Sequence, residues 1–298
     1  MAETLHIPDA DAAWLAPHLP SGSGSAVQSV KTQNRPFVTL TFATSLDSSL
    51  SLAPGVRTRL SGPESKAMTH HLRRHHAAIL VGVGTVIADD PGLNCRMDGA
   101  NLDAQPRPIV LDPRGRWNFT EHSKVFEVAR AGNGLAPYIL VGETGINPER
   151  QAILEAHGGK FILLSSRETK PSFDWPSILA ALHAENLHSV MIEGGAQVIN
   201  SLLHPDYQQL VDTVIVTVAP TWLGRGGVVV SPDRVQRPDG TPVPAARLNG
   251  VAWHQFGEDM PQRSADLHSP GAMSKLLRLG RELSLVVTME QAAEANPA

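Results

Sequence analysis

Apolar residues in this chain fall into short runs broken by glycine, proline and charge. Phe37–Ala43 (FVTLTFA) alternates and is rich in β-branched and aromatic residues, which predicts a strand. Ala77–Val83 is instead a continuous apolar run bounded by glycines, the pattern of a strand buried on both faces of a parallel sheet. Further strands are expected at Arg107–Asp112, Pro137–Val141, Lys160–Leu164, Ser189–Ile192, Val211–Ala219 and Leu283–Met289, with a short one at Lys124–Val128. Helical spacing appears between them. Ser61-Gly62-Pro63-Glu64 reads as a capping box opening a helix that buries Met68 and Leu72 and ends near His76. Asn147–His157, Trp175–Glu185 and Ala196–Leu203 follow as helices. Strand, helix, strand at this spacing is the signature of parallel crossover units, so the chain is expected to be an α/β protein.

That pattern sets the expected boundaries. Residues 1–34, with the PSGSGSAVQSVKTQNRP stretch, read as a flexible tail in which ADAAWLAPHL forms a short docking turn. Residues 35–290 read as a single domain, interrupted at 231–275 by a proline-rich, charged stretch expected to be a surface insertion with room for one strand at Val251–Phe256. Residues 291–298 read as a second tail. With 298 residues, 42% of them hydrophobic, the chain can bury a sizeable core. The net charge of −4 offers no footprint for nucleic acid, and the absence of an 18-residue apolar run or a signal-like N-terminus points away from a membrane and toward the cytoplasm. The single cysteine, Cys95, excludes an intrachain disulfide and a multi-thiolate metal site.

Candidate chemistry gathers at two predicted strand ends. The first ends in Gly82-Val83-Gly84-Thr85 and runs into Asp89, Asp90, Pro91, Gly92, Asn94 and Arg96, a polar density that a packed core does not require. Glycines at the carboxyl end of a parallel strand let backbone N–H groups approach a ligand, although Ile87 stands where a dinucleotide fingerprint would place its third glycine. The second is Glu193-Gly194-Gly195 leading directly into a helix. It fits either a phosphate at a helix N-terminus or a tight turn that needs positive φ. Thr44-Ser45-Leu46-Asp47-Ser48-Ser49 fits a hydroxyl turn or a site loop, and Ser165-Ser166-Arg167 fits a seat for a 2′-phosphate or a surface turn. His71 and His75 are four apart on the first helix, but no third ligand accompanies them; no metal is expected, and HHLRRHH reads as a solvated face from which Arg73 or Arg74 could turn to an anion.

Together, TFATSLDSSLS, HLRRHHAAILVGVGTVIADDPGLNCR, QPRPIVLDPRGR, VMIEGGAQVINSLL and APTWLGRGG resemble the pyrimidine reductases of riboflavin biosynthesis. The likeness is to the stand-alone fungal and archaeal 2,5-diamino-6-ribosylamino-4(3H)-pyrimidinone 5′-phosphate reductases, over roughly residues 35–227 and the last strand. It implies a dihydrofolate-reductase-like α/β fold with a mostly parallel central sheet flanked by helices, a homodimer, NADPH as cofactor, and reduction of a ribosylamino group in its open imine form. By position it implies that Thr85, Asp89 and the turn Gly194, Gly195, Ala196, Gln197, Val198 touch the cofactor, with Leu164 on the adenine side. Ser45, Asp47, Arg73, Leu93, Asn94 and Arg96 fall to the substrate, the two arginines suiting its phosphate, and Glu193 lies between the ligands. Asp89, Glu193 and Asp47 are the candidate proton donors. Ser48 departs from the pattern, since relatives often carry glycine there, which leaves the role of Asp47 open. Bacterial relatives fuse the reductase to a zinc deaminase; His183-Ala184-Glu185 matches half of that signature, but one cysteine cannot complete it. Two rivals stand beside this reading: another reductase of the same fold acting on a pterin or other carbonyl, and a nucleotide-binding regulator without turnover. The central expectation is geometric: Thr85 and Gly195 share one cleft.

Overall fold

A computed structural model describes residues 4–20, 34–56, 58–142, 146–164, 174–244, 248–256 and 283–288. At its centre lies β3 (Ala78–Gly82), whose first four residues are buried. The nine-stranded sheet around it runs β10 (Asn249–His254), β11 (Leu283–Thr288), β8 (Thr213–Val218), β1 (Phe37–Thr44), β7 (Ser189–Gly194), β3, β4 (Arg107–Leu111), β5 (Tyr138–Val141), β6 (Lys160–Leu163). Neighbours from β8 to β6 are parallel, and β11 and β10 join antiparallel at one edge. β2 (Ser49–Ser51) and β9 (Val228–Val229) form a small separate ribbon.

Period-two alternation along β3 sends its side chains to two cores. Ala78 and Leu80 pack with helices α6 (Trp175–Ala184) and α7 (Ala196–Leu202) through Ile178, Leu182, Val198 and Leu202. Ile79 and Val81 face the other way, onto α3 (Val83–Asp89), α4 (Lys124–Arg130) and α5 (Pro148–Ala156). The same side of the sheet carries α2 (Pro63–Arg74), whose Met68 and Leu72 are fully buried as their spacing predicts. The mostly parallel sheet with helices on both faces is the expected architecture. At the start of β1 the guanidinium of Arg35 donates to both oxygens of Asp212 at 2.7 and 2.8 Å, and the same carboxylate accepts Val38 N–H at 2.8 Å. Burial pushes the Asp212 carboxyl up, against the pull of Arg35 and the amide.

Several local expectations are corrected. Residues 4–20 are not a free tail: α1 (Asp9–Leu15) and a 3₁₀ turn (Ala16–His18) bury Leu15 and Leu19, and Leu5 bridges Met97 in parallel. Leu5, Ile7, Leu15 and Leu19 pack with Met68, Leu72 and Met97, covering one side of α2. HHLRRHH is therefore no solvated face, and His70 and His76 are buried. Lys124–Val128 is the start of a helix, not a strand: its first amide is capped by the Asp90 carboxylate at 3.0 and 3.1 Å, and Val125 and Phe126 turn inward. Gly62, not Ser61, is the N-cap of α2, because Pro63 occupies the first helical position and leaves Ser61 one residue too early to cap. The strand at 77–83 stops at Gly82 and α3 begins at once, driven by burial of Val83 and Val86 one turn apart. The strand expected at Val251–Phe256 is present, shifted to Asn249–His254 as β10, and it extends the sheet beside β11.

Candidate active site

Because β3 and β7 are parallel neighbours, their carboxyl ends open on the same edge of the sheet, and α3 and α7 start there. Pairing shifts between Leu80–Ile192 and Val81–Gly194, so Glu193 sits in a bulge that re-aims its side chain out of the ladder. Gly194 and Gly195 follow with φ of 96° and 82°, a region L-residues enter only under strain. A Cβ at Gly194 would lie 2.7 Å from Ile199 Cδ1, and one at Gly195 would lie 3.2 Å from Thr85 Oγ1. The Thr85 hydroxyl donates to Gly194 O at 3.4 Å. The two strand ends thus meet in one cleft, as expected. The first helical bonds of α7 run from Val198 and Ile199 to Gly195 O, so the amides of Ala196 and Gln197 precede the ladder and are left for another acceptor. Val198 itself is buried against Gly82, where a Cβ would meet it at 3.0 Å. The positive-φ turn and the cradle are one arrangement: backbone bared by glycine, with no side chain in the way.

The cleft, about 1190 Å³, extends from Thr85 and Asp89 toward α2 and the loop after α3. Its far end is made of side chains. Arg73 Nε and a terminal nitrogen donate to the two oxygens of Glu193 at 2.8 and 2.7 Å, and the other terminal nitrogen donates to Asn94 O at 3.0 Å. The loop that presents Arg96 is braced from several directions. Asp90 and Leu93 take positive φ of 40° and 50°, and Leu93 is buried. The Asn94 side chain donates to Asn133 O at 2.9 Å. Gln105 brackets the Cys95 main chain, accepting its N–H at 2.8 Å and donating to its carbonyl at 3.0 Å. Leu5 N–H donates to Arg96 O at 2.9 Å. From α2, His70 places Nδ1 3.0 Å from Arg96 N and Nε2 2.9 Å from its guanidinium. Burial first, then the charges of Arg73, Arg96 and Lys66, push the His70 imidazole down to about 2, so the ring is neutral.

Thr85, Asp89, Arg73, Leu93, Asn94, Arg96 and Glu193 are therefore gathered around one cleft, and the Gly194–Val198 turn adjoins it at Thr85. Ser45 and Asp47 do not line this cleft. Asp47 accepts from the Ser45 hydroxyl, and from Leu223 N–H at 3.1 Å and Gly224 N–H at 2.8 Å, which ties two loops together. The Ser45 hydroxyl and then the Leu223 amide pull the Asp47 carboxyl down. Ser48, where relatives often carry glycine, takes φ of 62°, so the loop adopts the left-handed turn without glycine. Leu164 follows β6, is buried in the core, and donates its N–H to Val141 O at 2.9 Å; it does not line the cleft. Ser165-Ser166-Arg167 lies outside the described residues. His70, Lys66 and Thr4 also line the cleft, beyond the residues the sequence points to; the sequence signal for His70 is its place one turn before Arg73 on the same helix. The rings of His71 and His75 are 4.6 Å apart, and among the described residues no group of three or more metal-ligating side chains forms.

With this geometry in view, the family model of the RibD C-terminal domain matches residues 36–261. The chain belongs to the RibD C-terminal domain family. Within it, the chain is 44% identical over 203 residues to the 2,5-diamino-6-ribosylamino-4(3H)-pyrimidinone 5′-phosphate reductase of Debaryomyces hansenii, covering 67% of this chain and 81% of that one. It is 42% identical over 198 residues to the enzyme of the same name from Saccharomyces cerevisiae, covering 66% and 77%. In three dimensions this RibD C-terminal domain chain is similar to the Saccharomyces cerevisiae riboflavin biosynthesis reductase, with a TM-score of 0.68 and 31% identity over 95% of this chain and 100% of that one.

Proposed function

We propose that the chain is the pyrimidine reductase of riboflavin biosynthesis, reducing the ribosylamino group of 2,5-diamino-6-ribosylamino-4(3H)-pyrimidinone 5′-phosphate to ribitylamino with NADPH. The observation that carries this reading is the joining of Thr85 to the Gly194-Gly195 turn in the cleft that holds Arg73, Glu193 and Arg96. The cradle fits a dinucleotide, because a side chain at Gly195 would fill the space in front of Thr85 and the amides of Ala196 and Gln197 lack helical acceptors. When bound, the reduced nicotinamide supplies the hydride for C1′ of the open-chain sugar. The protein supplies alignment. Thr85 and the Gly194–Val198 turn hold the cofactor, with the main chain at Leu164 toward its adenine. Arg96 grips the 5′-phosphate, and remote binding of that group brings C1′ to the reacting position. Glu193, whose two oxygens accept from Arg73, locks the guanidinium against the Asn94 carbonyl and acts as an acceptor toward the sugar hydroxyls. The Asp89 carboxylate makes no hydrogen bond among the described residues and sits on the cleft, which makes it the group placed to pass the proton that the imine nitrogen takes up.

Anaerobic incubation of the purified chain with NADPH and the ribosylaminopyrimidine phosphate tests the reading. It should yield the ribityl product, with no turnover of dihydrofolate; oxidation of NADPH by dihydrofolate alone would move the chain to a different reductase. We also propose a homodimer, supported by Val251 and Trp253, large apolar side chains exposed on the edge strand β10. Light scattering on the eluted protein reads that directly.

A further inference from the structure

His70 faces the cleft one helical turn before Arg73, and its ring is almost wholly enclosed, at 3% exposure. Both of its nitrogens meet the same residue. Nδ1 lies 3.0 Å from the backbone N of Arg96, while Nε2 lies 2.9 Å from a terminal guanidinium nitrogen and 3.3 Å from Nε. We propose that His70 is a positioning residue whose imidazole sets the Arg96 guanidinium for the phosphate of the substrate, a role that rests on the reductase reading above.

The chemistry follows from the charge state of the ring. An imidazolium could only donate and would repel a guanidinium, whereas a neutral imidazole has one nitrogen free to accept. Lys66, Arg73 and Arg96 surround the ring and, with burial, hold it neutral. The Arg96 backbone N–H and its guanidinium both approach the ring as donors, and a neutral ring accepts at one nitrogen only. With the ring proton on Nδ1 and given to the Asn94 carbonyl, Nε2 takes the guanidinium and the 3.0 Å approach of Arg96 N to Nδ1 is a packing contact, whereas the opposite tautomer would hold only the Arg96 main chain. Arginine otherwise carries many rotamers, and fixing the head group before the anion arrives removes that ordering from the binding step. The Cys95 thiol donates to the His70 carbonyl at 3.3 Å, so helix and loop are joined through main chain as well.

Two isosteres separate the two ends of the ring. In His70→Gln the amide oxygen reaches toward the Nε2 position, and in His70→Asn the amide stops at the Nδ1 position. Steady-state kinetics on wild type, His70→Gln, His70→Asn, Arg96→Ala and His70→Asn/Arg96→Ala form a double-mutant cycle with a rescue arm. His70→Asn should raise KM for the pyrimidine phosphate about tenfold, leave kcat within about twofold, and leave KM for NADPH unchanged. His70→Gln should return KM to within about threefold of wild type, and His70→Asn should add less than about twofold once Arg96 is gone. An equal effect of His70→Asn in both backgrounds, an effect on NADPH alone, or no rescue by Gln would each overturn the proposal. Calorimetric binding of ribose 5-phosphate to the same proteins keeps the two ideas apart. Non-additivity there, with no pyrimidine turnover by wild type, would reject the reductase reading and keep the role of His70; additivity there, with normal turnover by wild type, would do the reverse.

Discussion

One wall of the cleft is built from main chain and the opposite wall from side chains. At the cofactor end, Gly194 and Gly195 turn at positive φ, Thr85 packs on them, and amides face the ligand. At the substrate end, Arg73, Glu193, His70 and Arg96 hold one another through hydrogen bonds that reach across 120 residues of chain in the case of Arg73 and Glu193. A backbone wall has few ways to adjust, since any added atom meets a neighbour. A side-chain wall can lose one partner and relax, but its charges must stay matched.

The largest effect should therefore come from Gly195→Val, which places a branched side chain 3.2 Å or less from Thr85 Oγ1 and forces an L-residue to φ of 82°. We expect about a thousandfold loss in kcat/KM for NADPH, with binding of ribose 5-phosphate retained. Loss of ribose 5-phosphate binding as well would mean that the two walls are not separate. Arg73→Met comes next. It leaves the Glu193 carboxylate without the guanidinium that both of its oxygens contact, and should lower kcat/KM for the pyrimidine about a hundredfold while NADPH affinity, read by fluorescence titration, changes little.

How far these walls could be read in the sequence follows from the same distinction. Gly194-Gly195 between a strand and a helix is a local backbone instruction, and so is the apolar run that became β3. The fold class was legible for that reason. Asp47 carried an equally local motif, yet it also accepts from Leu223 and Gly224, residues whose proximity no short window reveals. In Lys124–Val128, KVFEV satisfies a strand pattern, and the cap that makes it a helix comes from Asp90, 34 residues earlier. Leu15 and Leu19 lie in the stretch that reads as a docking turn, but nothing local says that it docks on α2 or that Leu5 and Ile7 join it, so the burial of the helix's histidines is not legible in any short window.

Those histidines give the comparison a pH dependence. Burial first, then a nearby His75 charge in the case of His76, holds His70 down to about 2 and His76 to about 4, both below the ordinary 6.5. The unfolded chain therefore binds more protons than the native one below about pH 6.5, and stability falls as pH drops from there toward about pH 4. By about pH 5 each should have withdrawn about 2 kcal/mol relative to neutral pH. Urea unfolding at the two pH values reads these together with His71, also held to about 4, and with His75 and His18, so the share of His70 is isolated by His70→Gln, which should flatten the slope by about one proton. Hydrogen exchange should quicken in α2 before it does in β3 or α7; the reverse order would place the acid-sensitive region at the cofactor end. The smallest effect belongs to Asp47→Asn, which keeps an oxygen for the Leu223 and Gly224 amides and should change kcat/KM less than about threefold.

Leu5 hydrogen-bonds to the carbonyl of Arg96 and Thr4 lines the cleft, yet both stand upstream of residue 36, where the family match begins. A protein trimmed to the matched stretch for expression would lose this buttress and bare the apolar groove that Leu15 and Leu19 fill. A purification handle fused directly ahead of Thr4 would hang at the mouth of the cleft, where it could compete with an incoming sugar phosphate.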